Sequence, residues 1–207
     1  MREKRSDSNI LQSKVDIKSW QQQIPGVEAV RPAACPACQA ASRPAGKPLQ
    51  IQGHGLRERQ VRGPSSAHGS PEMVEIMVRR YRCQLCSAVI TVVPRQVLAK
   101  RLYSAAAIGF ALALWGLLRW SACKVRQAVN PLQIVGATAI GGWASLRRWA
   151  RAVSAGEIFR SLHRAAPGAS HRDAAAQAAV MLAASACPTS RELPVEQRAF
   201  LGAAQAA

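Results

Sequence analysis

The chain has 207 residues and a formal net charge of +17 at pH 7, with 28 Lys and Arg residues against 11 Asp and Glu residues. A chain of this length fits two small modules better than one large core. The 49% hydrophobic content overstates the core, because much of it is alanine. The charge favours a polyanionic partner, nucleic acid first and an anionic membrane surface second, with a merely solvated basic face as the alternative.

The N-terminal residues 1–30 are polar, and we expect a flexible arm with Ile10, Ile17 and Trp20 as candidate docking residues. Residues 1–23 lack the apolar centre of a signal peptide. We therefore expect a cytoplasmic protein, associated with the nucleoid through its charge. Cytoplasmic thiols stay reduced, so Cys-x2-Cys pairs in this chain are interpreted as metal ligands before disulfides.

Two Cys-x2-Cys pairs are the strongest motif of the chain. Thiolates at this spacing can both reach one tetrahedral ion, and two such pairs complete a closed, structural Zn²⁺ site. The predicted zinc ligands are Cys35, Cys38, Cys83 and Cys86. Unmetallated thiols or a redox pair remain alternatives, and His54 or His68 could replace a cysteine. Cys123 and Cys187 have no Cys or His close in sequence and are not included.

The segment between the two pairs is long enough to fold back on itself. Residues 49–61 and 73–82 have strand patterns, a Gly-, Pro- and Ser-rich loop joins them, and SAVITVVP after the second pair reads as a third strand. This predicts a three-stranded zinc ribbon over residues 31–95, with a long basic hairpin. Four side chains of the hairpin are candidate phosphate contacts: Arg57, Arg59, Arg80 and Arg82.

The uncharged run of residues 102–118 predicts a buried helix. A short membrane span is the alternative, but about 20 apolar residues are needed and this run is diluted with small ones. Ser121 is placed to cap a second helix, SACKVRQAV, and Asn130-Pro131 ends it.

The third helical segment, GGWASLRRWARAVSAG, has an apolar face with two tryptophans and an opposite face of three arginines. This arrangement is typical of a recognition helix, although a solvated surface helix is the alternative. We predict a helix-turn-helix-like domain over residues 100–156, with an unusually long connection at 130–142. Its candidate DNA contacts are Lys124, Arg126, Arg147, Arg148 and Arg151.

The series CPAC, GHGLRERQVRG, VRRYRCQLCSAVITVVP and RRWARAV resembles the zinc-ribbon and helix-turn-helix front portion of bacterial insertion-sequence transposases. It is also similar to short transposon-associated proteins built from that portion. The resemblance covers residues 31–156 and implies zinc ligation by the four cysteines and DNA contact by the helix bearing Arg147, Arg148 and Arg151. The hairpin loop at 62–72 and the connection at 130–142 match the pattern less well.

Catalysis is not expected. Two-metal phosphoryl transfer needs three converging carboxylates, whereas the chain has only Asp7, Asp16 and Asp173 as aspartates, and none of the common catalytic motifs occurs. The histidines His163 and His171, which flank a Pro-Gly turn, are interpreted as surface residues. The Ala-rich tail, residues 157–207, is either an interaction segment, through which the chain self-associates or binds a transposase, or a loosely attached end.

These observations predict an α+β protein in which a small four-cysteine zinc ribbon precedes a helical domain and an Ala-rich helical tail. The expected function is that of a non-catalytic, zinc-binding accessory or truncated transposase-related protein that binds double-stranded DNA. The alternative is an adaptor that uses the ribbon and the apolar helix to bind a larger transposase or polymerase. A degenerate transposase or an unrecognised nuclease is the third hypothesis. We expect neither a membrane nor a small-molecule substrate as partner.

Overall fold

The computed structural model describes residues 9–133, 142–162, 166 and 168–207. Across these residues the chain is α+β, with a four-stranded sheet and six α-helices. The strands are β1 (Ile10–Gln12), β2 (Ile51–Pro64), β3 (Pro71–Cys83) and β4 (Val89–Val93). The helices are α1 (Ile17–Gln22), α2 (Ala105–Gly116), α3 (Ala122–Val129), α4 (Ala144–Ser154), α5 (His171–Ala184) and α6 (Val195–Ala206), with a short 3-10 turn at Pro188–Ser190.

Two compact units divide the chain. The first comprises Met1–Gln60 and Glu75–Arg101, and the second comprises Val61–Val74 and Leu102–Ala207. The base of the β2–β3 hairpin therefore belongs to the first unit and its tip to the second. From Leu102 onward, the second unit includes the ranges of the predicted helical domain, residues 100–156, and of the predicted tail, residues 157–207; Lys100 and Arg101 belong to the first unit.

The sheet has the strand order β1-β4-β3-β2. β3 and β4 are antiparallel, with Tyr81 opposite Ile90, and β1 runs parallel to β4, with Ile10 opposite Thr91. The three strands predicted from the sequence correspond to β2, β3 and β4. The fourth strand comes from the segment for which the sequence predicts a flexible arm.

Residues 9–30 differ from that expected arm, because they form β1 and α1 in the first unit. Asp16 caps α1 by accepting hydrogen bonds from the Lys18 and Ser19 amides. Trp20 is fully buried, and its indole N–H donates to the Met77 carbonyl at 2.8 Å. One large aromatic side chain, with its polar atom satisfied, holds an otherwise polar segment against the sheet.

One core cluster of the first unit includes two of the cysteines. Besides Cys35 and Cys83, it contains the buried side chains of Trp20, Val30, Ile51, Tyr81, Ile90 and Val92. The Tyr81 hydroxyl donates to the Val27 carbonyl at 2.7 Å. A metal ion bound by cysteines far apart in sequence would add a cross-link to the burial energy of this core.

The second unit is built around α2. Ser104 caps this helix, and its side chains are buried on nearly all faces, in agreement with the predicted buried helix. No helix within the described residues is long and apolar enough to cross a membrane. The apolar helix that the adaptor hypothesis requires as a docking surface is thus covered by the chain's own helices.

Small residues allow close approach of α2, α5 and α6. A Cβ atom added at Gly109 would lie 2.4 Å from the Ala203 Cβ, and one added at Gly202 would lie 1.7 Å from the Leu182 carbonyl oxygen. The rings of Phe110 and Phe200 meet edge to face at 6.1 Å. The Ala-rich tail is therefore packed on α2, because alanine and glycine let the helix backbones come together.

Gly202→Ala is expected to destabilise the second unit by about 1–3 kcal/mol, because the new methyl group can be accommodated only by separating α5 from α6. Urea unfolding monitored by far-ultraviolet circular dichroism measures the loss. Gly142→Ala is the matched control, since its added methyl meets only the end of the Arg147 side chain, at 3.7 Å. Equal stability of the two variants would contradict the close packing.

The predicted second and third helices are confirmed as α3 and α4. Ser121 caps α3 by accepting from the Lys124 amide at 3.2 Å, and Leu146, Trp149 and Val153 are buried along one side of α4. Trp149 meets Tyr103 and Trp143 edge to face, at 5.1 and 5.0 Å. Of the connection at 130–142, residues 134–141 lie outside the described part of the chain.

Candidate metal centre and basic surfaces

The two Cys-x2-Cys segments adopt the same backbone conformation. The Cys35 amide donates to the Ala40 carbonyl and the Gln39 amide to the Cys35 carbonyl, at 2.9 and 2.8 Å. The Cys83 segment repeats both bonds, at 2.9 and 2.9 Å, through Ala88 and Ser87. In each segment the residue after the second cysteine has a φ of +60°. This tight turn directs both sulfurs of a segment to the same side.

The two segments bring all four sulfurs together. The Sγ atoms of Cys35 and Cys86 lie 3.7 Å apart, as do those of Cys38 and Cys83, and all four Sγ atoms lie within 4.8 Å of one another. In a tetrahedral site with metal–sulfur bonds of about 2.3 Å, neighbouring sulfurs are about 3.8 Å apart. The separation is far above the roughly 2.05 Å of a disulfide. The cluster therefore fits a single tetrahedral metal ion.

The surroundings of the thiols shift their pKa values in opposite directions. Burial disfavours the Cys83 thiolate, but the amides of Cys86 and Leu85 outweigh this and lower its pKa to about 7. The Ala40 amide stabilises the Cys38 thiolate, yet burial and three neighbouring thiols prevail and raise its pKa to about 12. A bound cation removes the repulsion between adjacent thiolates, so metal binding releases protons from such a cluster.

The cluster is closed by the protein. Cys35 and Cys83 are fully buried in the core of the first unit, while Cys38 and Cys86 are half-buried. A metal ion bound by all four cysteines would have no position left for a reactive water, as in structural zinc sites. Neither predicted substitute histidine is part of the cluster: His54 is exposed, and His68 lies in the second unit, 3.4 Å from the Gln197 amide nitrogen.

The three arginines predicted as DNA contacts on the third helix lie on the exposed side of α4. Arg147, Arg148 and Arg151 are all exposed, opposite the buried Leu146 and Trp149. The first turn of α4 has no acidic side chain. The helix thus presents a concentrated positive charge whose position is set by its apolar side.

The four hairpin arginines divide into two kinds. Arg57 and Arg82 are exposed and Arg80 is half-buried. Arg59 instead donates to the carbonyls of Leu98 and Arg101, at 2.8 and 3.3 Å, and burial, with a smaller contribution from Arg57, lowers its pKa. Its guanidinium holds the segment before α2 and is not presented to a ligand, contrary to the sequence prediction.

Lys124 and Arg126 also differ from each other. Lys124 is exposed, and its Nζ lies 3.8 Å from the centre of the Trp120 ring. Arg126 is only 8% exposed, so its predicted role as a DNA contact is not available in this structure. The third-helix pattern predicted which arginines are exposed, but α3 is too short for periodicity alone to place Arg126.

The acidic residues considered for catalysis have structural roles where they are described. Asp16 caps α1, and Asp173 accepts from the Ser170 hydroxyl at the start of α5 and lies 3.5 Å from the Arg119 guanidinium. Asp7 and His163 lie outside the described residues. Two basic residues that the sequence did not indicate lie close to Trp120: Arg119 precedes it in the chain, and Arg172 donates to its carbonyl at 3.0 Å. Arg119 and Arg172 are far apart in sequence, so no local pattern indicates them.

Comparison with known proteins identifies no relative. No family model matches the chain, and neither a curated protein nor a solved structure matches it.

Proposed function

We propose that this chain is a non-catalytic DNA-binding protein whose first unit is held together by one zinc ion. The observation that carries the metal assignment is the cluster of four sulfurs, with two Sγ–Sγ distances of 3.7 Å. Thiolates select soft or borderline ions, and a tetrahedral four-sulfur site is typical of zinc. The ion would be held by Cys35, Cys38, Cys83 and Cys86. It would cross-link the two cysteine segments and would not take part in a reaction of a substrate.

Charge supports DNA as the partner. Between Glu75 and Glu157 the chain has twelve basic residues and no acid, and α4 presents three exposed arginines within two turns. Without a polyanion these charges repel one another. With double-stranded DNA they release condensed counterions, which drives association. Arg57, Arg82 and Lys124 are further exposed candidates for phosphate contacts.

A helix with one buried and one arginine-rich side has the form required to enter a major groove. We therefore propose α4 as the recognition element and the helical unit as helix-turn-helix-like. The resemblance to the front portion of insertion-sequence transposases supports a role beside a mobile element, either as an accessory protein or as a truncated relative. This origin predicts a target among the sequences that flank the gene.

The direct test is binding of the zinc-loaded protein to duplexes from the DNA around its own gene and to shuffled controls, at low salt and at about 0.15 M salt. A preference that survives the higher salt supports a sequence-specific DNA reader. Equal loss for both duplexes leaves only non-specific attraction. A protein complex that resists high salt, without DNA, would favour the adaptor instead.

Arg147→Ala is expected to weaken binding to the preferred duplex by about 1–3 kcal/mol and to reduce the preference over shuffled DNA. The reason is the loss of a base or phosphate contact on the exposed side of α4. Fluorescence anisotropy with labelled duplexes measures both effects. Arg191→Ala, which removes an exposed arginine beyond α5, is the control for the charge change alone. Unchanged affinity of Arg147→Ala for both duplexes would remove α4 from the interface.

A further inference from the structure

A group of tryptophans and cations lies in the second unit, where α2 ends and both α3 and α5 begin. We call it the Trp120 cluster. Its members are Trp115, Arg119, Trp120, Lys124 and Arg172. Arg119, Trp120 and Lys124 come from adjacent turns of chain, whereas Arg172 arrives from α5. None of its members belongs to α4.

Aromatic rings position two of the cations. The Lys124 ammonium lies 3.8 Å from the centre of the Trp120 ring, and the Arg172 guanidinium lies 5.3 Å from the centre of the Trp115 ring. Arg172 also donates to the Trp120 carbonyl at 3.0 Å. Cation–π contacts at these distances favour one position of an otherwise mobile side chain.

The groups that hold Lys124 and Arg172 in place determine how much of their positive charge remains for a ligand. A carboxylate partner would neutralise a cation, whereas a ring face or a carbonyl carries no compensating full charge. Lys124 and Arg172 are thus ordered without being neutralised. Arg119 pairs with Asp173 at 3.5 Å, but both side chains are more than half exposed, so this pair is weak and is screened by salt. Three cations and one acid leave a net positive surface.

The start of α3 adds to this charge. Its first turn contains no acidic residue, and the positive end of a helix dipole favours anions. The cations are held on an open surface, with Arg119 and Lys124 exposed and Arg172 half-buried. Spaced cations on an open surface suit the repeated phosphates of a nucleic-acid backbone.

We propose that the Trp120 cluster is a second phosphate-binding surface for nucleic acid, which contacts the backbone independently of α4. This inference rests on the proposed function. It also separates two tasks: α4 reads sequence, and the Trp120 cluster adds affinity that is insensitive to sequence. Trp115 and Trp120 act as positioning residues, because they order the cations and need not touch the ligand.

The test uses the double variant Lys124→Gln with Arg172→Gln in the full-length, zinc-loaded protein. Removal of two phosphate contacts is expected to lower affinity at least about tenfold near 0.15 M salt and to reduce the slope of log K against log salt by about 2. The loss should be equal for preferred and shuffled duplexes. The double variant Arg160→Gln with Arg191→Gln removes the same charge from exposed arginines outside the cluster and should leave the slope unchanged.

A third variant, Trp120→Leu, keeps every charge but removes the ring beneath Lys124. Because ordering an unrestrained side chain costs free energy, we expect a two- to tenfold loss of affinity, roughly, with the slope preserved. This result would distinguish positioning from charge, and circular dichroism verifies that each variant is folded.

Two failures have different meanings. If the unaltered protein binds no DNA at either salt concentration, the proposed function is wrong. If the unaltered protein binds and the Lys124 and Arg172 double variant binds with the same affinity and salt slope, the Trp120 cluster is not a phosphate-binding surface, while the role of α4 stands.

Discussion

Replacing Cys83 by serine is expected to abolish stoichiometric zinc binding and to unfold the first unit. Structural zinc sites contribute an apparent binding free energy of about 10–16 kcal/mol at pH 7, which is as large as the whole stability of a typical protein, about 5–15 kcal/mol. Serine removes one of four ligands and places a hydroxyl where a fully buried sulfur lies. Metal content, with hydrogen exchange of the β4 amides, measures both effects.

Cys187→Ser is the matched control, because this exposed cysteine lies outside the cluster. It should retain one zinc per chain and unchanged protection of β4. Full zinc content and wild-type protection in Cys83→Ser would refute a four-cysteine site. Retention of half the affinity or more would point to a substitute ligand and would reopen the histidine alternative.

Truncation of Trp20 has the second largest expected effect. Trp20→Ala should destabilise the first unit by about 3–5 kcal/mol, because it empties a fully buried site and leaves the Met77 carbonyl without its donor. Ile24→Ala changes a side chain that is 36% exposed, just beyond α1, and should cost far less. Urea titration of the zinc-loaded proteins, followed by exchange of the β4 amides, compares the two.

The variant Trp20→Phe separates the contribution of the buried area from that of the hydrogen bond to Met77. Phenylalanine keeps most of the buried area but cannot donate to the Met77 carbonyl, so an intermediate loss is expected. If Trp20→Ala were as stable as the unaltered protein, residues 9–30 would behave as the flexible arm that their polar composition predicts.

The sequence predicts those parts of the fold that depend on local rules. The Cys-x2-Cys spacing indicates a tight turn. The alternation of apolar and polar residues around Ile76 and Val78 predicts β3, and Ser121 predicts the start of α3. Each of these features is decided within a few residues of chain. The sequence therefore indicated which four cysteines come together before their distances were known.

Features decided by distant partners could not be predicted in the same way. Trp20 is one of several apolar residues in a largely polar segment, and no local pattern shows that its indole reaches the Met77 carbonyl. In the sequence, nothing distinguishes Arg59 and Arg126 from the exposed arginines. In the structure, Arg59 donates to carbonyls 39 and 42 residues away, and Arg126 is buried. Residue type alone does not separate a structural guanidinium from one that faces solvent.

The packing of α2 has a consequence for synthesis on the ribosome. α2 is apolar on nearly all faces, and its partner α6 begins at Val195, about 80 residues after α2 ends at Gly116. At translation rates of about 5–20 residues per second, α2 emerges roughly 4–16 seconds before α6 can cover it. During that interval its side chains are open to aggregation, whereas β1 to β4 and both cysteine pairs have already been made.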